Sequence, residues 1–142
     1  MSIFPTTILL ATDGSREAQL AAATAADLAS RTDSELHLIH VGELRPTFLA
    51  QTELEPAQLE RQARELLDEQ VRRVEEAGGT VEEGHLRLGR ADEEIVDLAQ
   101  SIGAGMIVMG SRGRGRIRRA LMGSVSDSVV RHAHCPVTIV RQ

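Results

Sequence analysis

The sequence predicts an α/β fold: a five-stranded parallel sheet, Rossmann-like, with helices on both faces. Three observations support this fold class. Five short apolar segments alternate strictly with four segments of helical character, a pattern typical of strand–helix–strand crossovers. Turn and capping residues separate the segments from one another. The length of 142 residues fits one domain over 1–142 and is too short for two ordinary domains.

The predicted strands are short apolar runs bounded by turn formers. In chain order they are Thr7–Ala11, Leu36–Val41, Val81–Leu88, Met106–Met109 and Pro136–Val140. The turn residues Thr12–Ser15 end the first strand, and an irregular loop over 42–53 follows the second. The third strand contains Gly84 and a pair of glutamates, so we expect it at an exposed edge. The fourth is uninterrupted and apolar, which predicts a central position.

The predicted helices are marked by caps and by apolar residues at helical spacing. They run from Ser15 to about Arg31, over 55–77, from about Gly89 through Ile102, and from Ser124 to about His132. Ser15 is expected to cap the first helix. Pro56 is tolerated in the first turn of the second, which Gly78 and Gly79 end. Ser124 and Asp127 resemble a capping box in which Asp replaces the usual Glu or Gln.

Composition excludes several classes of function. All 16 basic residues are arginine, which excludes a Walker A loop and lysine-based covalent chemistry. The aromatic residues are Phe4 and Phe48 alone, which disfavours stacking on nucleic-acid bases. The chain has no signal-peptide pattern and no apolar run of about 20 residues. With Cys135 as the single cysteine, we expect a cytoplasmic protein without a membrane span.

The charge of the chain is unevenly distributed. The formal net charge is −5, but residues 1–109 carry −11 and residues 110–142 carry +6. A basic final quarter on an acidic body predicts a local site for an anion and no binding of nucleic acid.

A glycine-rich pattern follows the fourth strand. Gly110 and Gly113 are separated by two residues, and Gly123 and Ser124 follow after nine more, at the start of a helix. Backbone N–H groups at a helix start attract anions, glycine allows close approach, and Arg112 adds positive charge. The pattern therefore suits a polyphosphate. The alternative is that the glycines only make turns and the arginines are solvated; the strand–loop–helix context favours the site.

Asp13 lies at the end of the first strand, where a second loop reaches the same edge of the sheet. A carboxylate is poorly suited to bind phosphate because like charges repel. It can accept a hydrogen bond from a ribose hydroxyl or an adenine amine. The alternative is a structural turn or cap residue, a common role for Asp.

These motifs resemble the universal stress protein family of small nucleotide-binding stress proteins. The similarity extends over nearly the whole chain and is carried by six segments: Ile8–Ser15, Leu36–Val41, Gly89–Val96, Ile107–Gly113, Leu121–Ser126 and Cys135–Val140. The spacing G-x2-G-x9-G-(S/T) resembles that of the ATP-binding branch of the family. Two departures are Ala11, where some members have proline, and Gly105, where the family often has Asp.

The resemblance implies an ATP site. The implied residues are Ala11, Thr12, Asp13, Val41, Met109, Gly110, Arg112, Gly113, Gly123, Ser124, Val125 and Ser126. Asp13 and the backbone of Val41 would meet the adenosine, and Ala11 would lie beneath the nucleotide. The segment Gly123–Ser126 would hold the phosphates, with Mg²⁺ held through them. The resemblance also implies a twofold homodimer formed through the strand Pro136–Val140, an apolar strand at the sheet edge.

Two classes of function remain open on these residues. The first is a nucleotide-binding regulatory module of the stress response, in which ATP orders the loop 111–122 for an unidentified regulatory partner. The second is a slow ATPase, or a binder of AMP or a cyclic nucleotide. Asp127 is the one acid between Gly105 and Gln142, so no base for hydrolysis is evident in that segment and binding is favoured.

Other patterns are weaker. Nothing in the motif explains the additional arginines Arg114, Arg116, Arg118 and Arg119. His132, His134 and Cys135 offer three metal-type ligands without a fourth, which favours an ordinary polar helix end over a zinc site. His37 and His40 lie three apart in a strand and face opposite sides, and they are interpreted as ordinary residues of the fold, with His85 uninformative.

Overall fold

A computed structural model describes residues 1–43, 55–111 and 123–141. Over these residues five strands and four helices alternate as the sequence predicts. The strands are β1 (Thr7–Ala11), β2 (Glu35–Glu43), β3 (Glu83–Gly89), β4 (Met106–Gly110) and β5 (Val137–Val140). The helices are α1 (Arg16–Thr32), α2 (Pro56–Glu76), α3 (Ala91–Ser101) and α4 (Ser124–His132).

The strands form one parallel sheet in the order β3-β2-β1-β4-β5. The predicted α/β class is confirmed, and β3 and β5 lie at the two edges as expected. β1 takes the middle position, while β4 is an interior strand between β1 and β5. Since the chain moves outward from β1 in one direction through β2 and β3, and in the other through β4 and β5, the strand order reverses between β1 and β4. Ligands of such sheets bind at the carboxyl ends of the strands at this point.

The sheet is covered by helices on both faces, and each face has its own apolar core. Alanines of α1, including Ala21 and Ala25, pack with Leu67 of α2 against Leu10 and Leu38 of the sheet. On the opposite face, buried side chains of α3, α4 and the sheet pack together: Ile95, Leu98, Val129, Leu9 and Ile107. Strands buried on both faces explain why β1 and β4 are continuous apolar runs instead of alternating ones.

Two predicted strand boundaries are wrong by two residues, and the other differences are of one residue. β2 extends through Glu43, so the loop expected from residue 42 begins later, and its residues 44–53 lie outside the described part of the chain. Gly42 pairs with Leu88 of β3, and a Cβ there would come within 2.8 Å of Leu88 Cδ2 and 3.2 Å of Ala63 Cβ. It is a glycine of close packing and not of a turn. β3 begins at Glu83 and not at Val81.

Candidate functional site

The loop after β1 is a tight turn that begins α1. Asp13 is half-buried, and its Oδ1 accepts a hydrogen bond from Ser15 N at 2.9 Å. Gly14 has a φ of +80°, which favours glycine at that position. Ser15 caps α1 as predicted, with its Oγ accepting from Ala18 N at 3.2 Å. Asp13 therefore stabilises the turn, which is the alternative role that the sequence analysis left open. A contact between its carboxylate and a ligand stays a prediction.

Thr12 anchors the end of β1 to β2 and to α2. Its N–H donates to Ile39 O at 3.0 Å, and its carbonyl oxygen accepts from His40 Nδ1 at 2.9 Å. Because a carbonyl oxygen only accepts, His40 carries its proton on Nδ1 in this contact. The hydroxyl of Thr12 donates to the buried Gln70 Oε1 at 3.4 Å. The contacts of His40 and Gln70 with this loop could not be predicted, since the two residues lie 28 and 58 positions away along the chain.

The predicted floor of the site is apolar. Ala11 and Met109 are buried at the carboxyl ends of β1 and β4. Val41 lies on β2, two residues beyond the Ile39 that pairs with Ala11, and it is partly buried against the core on the α3 and α4 face. The structure thus places these three predicted residues on neighbouring strands at one edge of the sheet.

Gly110 ends β4 and packs directly against α1. A Cβ at this position would come within 2.9 Å of Glu17 Cβ and 3.1 Å of Glu17 C. The absent side chain therefore allows the first turn of α1 to approach β4. This is a different reason for glycine from the approach of a phosphate that the sequence suggested. Arg112 and Gly113, which follow in the predicted motif, lie outside the described residues.

α4 begins at Ser124 as predicted, but its N-cap is one residue earlier than expected. Gly123 is the N-cap, with φ −75° and ψ 168°, and Ser124 is the first helical residue, so the expected capping box on Ser124 is wrong. Asp127 instead pairs with Arg131 at 3.0 Å, while its N–H makes a 2.9 Å bond to Gly123 O. The N–H groups of Ser124, Val125 and Ser126 thus precede this helical bond, and such first-turn groups are the ones that bind anions.

Two polar groups near this helix start are already engaged within the chain. Gly123 N donates to Ser111 O at 2.6 Å, so the N–H that the sequence assigned to a phosphate has a protein acceptor. The hydroxyl of the buried Ser126 lies 2.5 Å from Ser111 O and 3.1 Å from Gly123 O. A ligand at this helix would therefore meet the backbone of the first turn and the hydroxyl of Ser124.

Two buried polar pairs near the strands were not predicted from the sequence. Glu17 of α1 is 1% exposed, and its Oε2 accepts from the buried Ser111 Oγ at 2.7 Å. His37 and His85 are also buried, with His37 Nδ1 at 3.0 Å from His85 Nε2. Both pairs join residues far apart in sequence, 94 and 48 positions respectively. A single glutamate or histidine gives no signal of such a partner.

The described part of the chain shows neither a metal-binding cluster nor a helix that could span a membrane. Across 1–43, 55–111 and 123–141, no group of three or more His, Cys, Asp or Glu side chains is placed to hold a metal ion. His132 Nδ1 contacts Ser128 O of its own helix at 2.8 Å, as expected of a polar helix end. In the same ranges no helix combines the length and apolar character needed to cross a bilayer.

The fold is that of the doubly wound α/β proteins, which bind their ligands at the carboxyl ends of the strands. A doubly wound parallel sheet places a helix N-terminus after β4 and a carboxylate after β1 on either side of the point where strand order reverses. This is the position at which α/β proteins of this class hold charged small ligands.

The chain belongs to the universal stress protein family, whose family model matches residues 5–141. A universal stress protein from Thermus aquaticus is 39% identical over 135 residues, covering 95% of this chain and 98% of that protein. A putative universal stress protein from Staphylococcus haemolyticus is 35% identical over 139 residues, covering 94% of this chain and 83% of that protein. The resemblance inferred from the sequence motifs is confirmed.

Solved structures show the same fold. A hypothetical protein whose biochemical function was assigned from its structure superposes with a TM-score of 0.84 at 28% identity, covering 99% of this chain and 98% of that one. A universal stress protein in complex with cAMP has a TM-score of 0.74 at 25% identity, with 98% of each chain covered. The Archaeoglobus fulgidus universal stress protein in complex with dAMP has a TM-score of 0.70 at 25% identity, covering 98% of this chain and 99% of that one.

The buried histidine pair predicts a pH dependence of stability. Burial lowers the pKa of His85 below the usual 6.5; nearby His37 and Arg87 lower it further, and Glu83 opposes them. Below pH 6.5 the unfolded chain therefore binds more protons at this residue than the folded chain does. We expect the free energy of unfolding to fall as the pH is lowered through this range, and the substitution His85→Gln to reduce the slope.

Urea titrations at a series of pH values measure this slope. His132→Gln is the matched control because His132 is exposed at the end of α4. An equal slope in the parent and the His85→Gln variant would contradict the assignment of the pH dependence to His85.

Proposed function

We propose that this chain binds ATP at the carboxyl edge of β1 and β4 and acts in the cytoplasm as a nucleotide-dependent regulatory module of the stress response. The observation that carries the proposal is the pairing of the α4 N-terminus with Asp13 on opposite sides of the strand-order reversal. One element offers N–H donors to phosphate, and the other offers an acceptor to a nucleoside. Support also comes from family relatives in complex with cAMP and dAMP, both of them adenine nucleotides.

Each predicted residue has a place in this proposal. The adenosine would lie over Ala11 and Thr12, near Asp13 and the backbone of Val41. The phosphates would lie against the first turn of α4. The residues of this phosphate end are Gly123, Ser124, Val125 and Ser126, and the residues assigned to the loop between the two ends are Met109, Gly110, Arg112 and Gly113. Mg²⁺ would be held through the phosphates, because the donors that α4 presents are N–H groups and a cation needs oxygen ligands.

Binding is favoured over turnover. Hydrolysis requires a group that orients or deprotonates water beside the terminal phosphate. The structure adds one carboxylate near the glycine motif, that of Glu17, but this side chain is 1% exposed and accepts the Ser111 hydroxyl. Asp127 forms an ion pair with Arg131 on the outer side of α4. Burial keeps Glu17 from bulk water, and the partly exposed Asp127 is paired with Arg131, so neither carboxylate is an evident base for hydrolysis.

The proposal is tested by purifying the protein without added nucleotide and identifying what denaturation releases. We expect ATP, displaced only weakly by AMP or cAMP in competition calorimetry. Incubation with labelled ATP and Mg²⁺ then measures turnover, and we expect little or none. Failure of the purified protein to bind any adenine nucleotide would overturn the proposal, and steady multiple turnover would favour the slow-ATPase alternative.

Ser124→Ala is expected to weaken ATP binding without changing the fold. Ser124 is exposed in the first turn of α4, so its hydroxyl is free to turn toward a phosphate. Loss of one hydrogen bond to a charged group costs about 1.5–3 kcal/mol, or roughly 10- to 150-fold in affinity. Calorimetry with ATP and with inorganic triphosphate measures the effect, which should be similar for both. Ser128→Ala in the second turn of the same helix is the control.

We also propose that two copies of the chain associate through β5. Ile107 N bonds to Pro136 O and Ser111 N to Val140 O, so the backbone groups of Pro136, Thr138 and Val140 face β4. By alternation, the N–H and C=O groups of Val137 and Ile139 face the open edge of the sheet. An apolar open edge favours pairing with a second copy.

Ile139→Pro is therefore expected to reduce dimerisation. It removes an N–H that faces the open edge and leaves the bonds between β4 and β5 in place. Arg87→Pro is the matched control: it makes the same change on the other edge strand, where Glu82 N bonds to Leu36 O and residue 87 faces outward by the same alternation. Light scattering at micromolar concentration is the measurement. A parent protein that is monomeric under these conditions would contradict the proposed dimer.

A further inference from the structure

Ser111 joins four elements of the fold at the point where the glycine motif begins. It is 2% exposed and follows β4 directly. Its N–H donates to Val140 O of β5 at 3.0 Å, and its carbonyl oxygen accepts from Gly123 N, the N-cap of α4, at 2.6 Å. The Ser126 hydroxyl reaches the same oxygen at 2.5 Å, and the Ser111 hydroxyl donates to Glu17 Oε2 of α1 at 2.7 Å.

The contact between Ser111 and Glu17 is built to be strong. Both side chains are almost completely removed from water. A hydrogen bond to a buried carboxylate is about twice as strong as one between neutral groups, because the surroundings screen it less. Glu17 also lies in the first turn of α1, where the helix dipole favours a negative charge. Gly110 has no side chain, and this lets the turn pack closely against the end of β4, where a Cβ would come within 2.9 Å of Glu17 Cβ.

The two helices that Ser111 connects carry the two halves of the proposed site. α1 follows directly from the turn that holds Asp13, and Ser15 is its N-cap. α4 carries the first-turn N–H groups assigned to phosphate. The side chain of Ser111 is bonded to the first helix and its carbonyl oxygen to the second. Ser111 therefore adds direct bonds between the adenosine side and the phosphate side to the pairing of β1 with β4.

We propose that Ser111 is a positioning residue of the nucleotide site: through Glu17 and Gly123 it fixes the distance between the Asp13 turn and the α4 N-terminus. The inference rests on the proposed function. A ligand that is held at both ends gains affinity only if the two ends are already at the spacing that it needs. Loosening Ser111 should therefore weaken a ligand that spans both halves far more than a ligand that occupies one.

Ser111→Ala tests this inference with three ligands measured by calorimetry: adenosine, inorganic triphosphate and ATP. We expect adenosine and triphosphate to bind within about twofold of the parent and ATP to lose about tenfold or more, the range of one charged hydrogen bond. A merely structural role would lower the melting temperature and weaken all three ligands by a similar factor. Ser34→Ala is the matched control, because its hydroxyl accepts from Thr6 N at 3.0 Å at the opposite end of the sheet.

Two variants at position 17 test whether the hydrogen bond between Ser111 and Glu17 is responsible for the loss of ATP affinity. Glu17→Gln keeps an oxygen that accepts the Ser111 hydroxyl and should retain ATP affinity close to that of the parent. Glu17→Ala removes the acceptor and should lose at least as much ATP affinity as Ser111→Ala, and the double substitution should be little worse than Glu17→Ala alone. A Ser111→Ala variant that binds ATP as tightly as the parent would overturn the inference alone. A parent that binds no adenine nucleotide would overturn the proposed function first.

Discussion

Gly123→Val is expected to abolish measurable ATP binding and to leave the domain folded. The residue is the N-cap of α4 in an extended conformation, with φ −75° and ψ 168°, which valine also adopts. Valine is a poorer N-cap than glycine, so we expect a modest loss of stability that leaves the domain folded. A branched side chain at this position would stand beside the N–H groups of the first turn. These are the groups to which we assign the phosphates, so we expect a loss of at least about 100-fold, or about 2.7 kcal/mol.

The measurement is ATP calorimetry on parent, Gly123→Ala and Gly123→Val, with thermal unfolding of each as the fold control. The alanine variant should be intermediate, because a single Cβ takes less of the space before the helix. Adenosine should bind both variants nearly as it binds the parent, since it does not reach α4 in our assignment. If the valine variant keeps the parent's affinity for ATP, the phosphates have been placed at the wrong end of the sheet.

The fold could be predicted because its signals are local. Buried strands such as β1 and β4 are continuous apolar runs, and the helices have their apolar residues at the spacing of one face. The errors came from residues whose local signal has two meanings. Glycine often marks the start of a loop, yet Gly42 is a strand residue. It is a glycine because Leu88 and Ala63 occupy the space that a side chain would need. Serine is a residue type that often caps helices, but Ser124 is the first helical residue of α4, and Gly123, whose N–H donates to Ser111 O, is the N-cap.

The site could be predicted only in part, because its supports are long-range. The glycine spacing and Asp13 are visible in the sequence. The structure brings Asp13, Gly110 and Gly123 to one edge of the sheet. The contact between Glu17 and Ser111 is not visible. An acid in a first helical turn is ordinarily an exposed partner of the helix dipole, and nothing in its neighbours shows that this one is buried. Likewise, His40 and Gln70 become supports of Thr12 only when β2 and α2 pack beside β1.

Asp13→Ala is expected to weaken ATP binding by roughly 10- to 150-fold, the range for one hydrogen bond to a charged group. If the carboxylate recognises the adenosine, binding of inorganic triphosphate should stay unchanged or tighten slightly, because a negative charge near the phosphates is removed. The structure complicates this test, since Asp13 Oδ1 also accepts from Ser15 N at 2.9 Å. The alanine variant therefore loses both the ligand contact and part of the turn that begins α1.

Asp13→Asn separates the two roles. The amide oxygen can still accept from Ser15 N, so the turn and the melting temperature should match those of the parent, while the carboxylate is gone. If Asp13 acts on the adenosine, the asparagine variant should bind ATP more weakly than the parent and triphosphate equally well. If Asp13 only stabilises the turn, Asp13→Ala should weaken ATP and lower the melting temperature, whereas Asp13→Asn should keep the parent's affinity for ATP, because its amide oxygen still accepts from Ser15 N. Calorimetry of both variants with ATP, adenosine and triphosphate distinguishes these outcomes, and equal ATP affinity in the parent and both variants would remove Asp13 from the site.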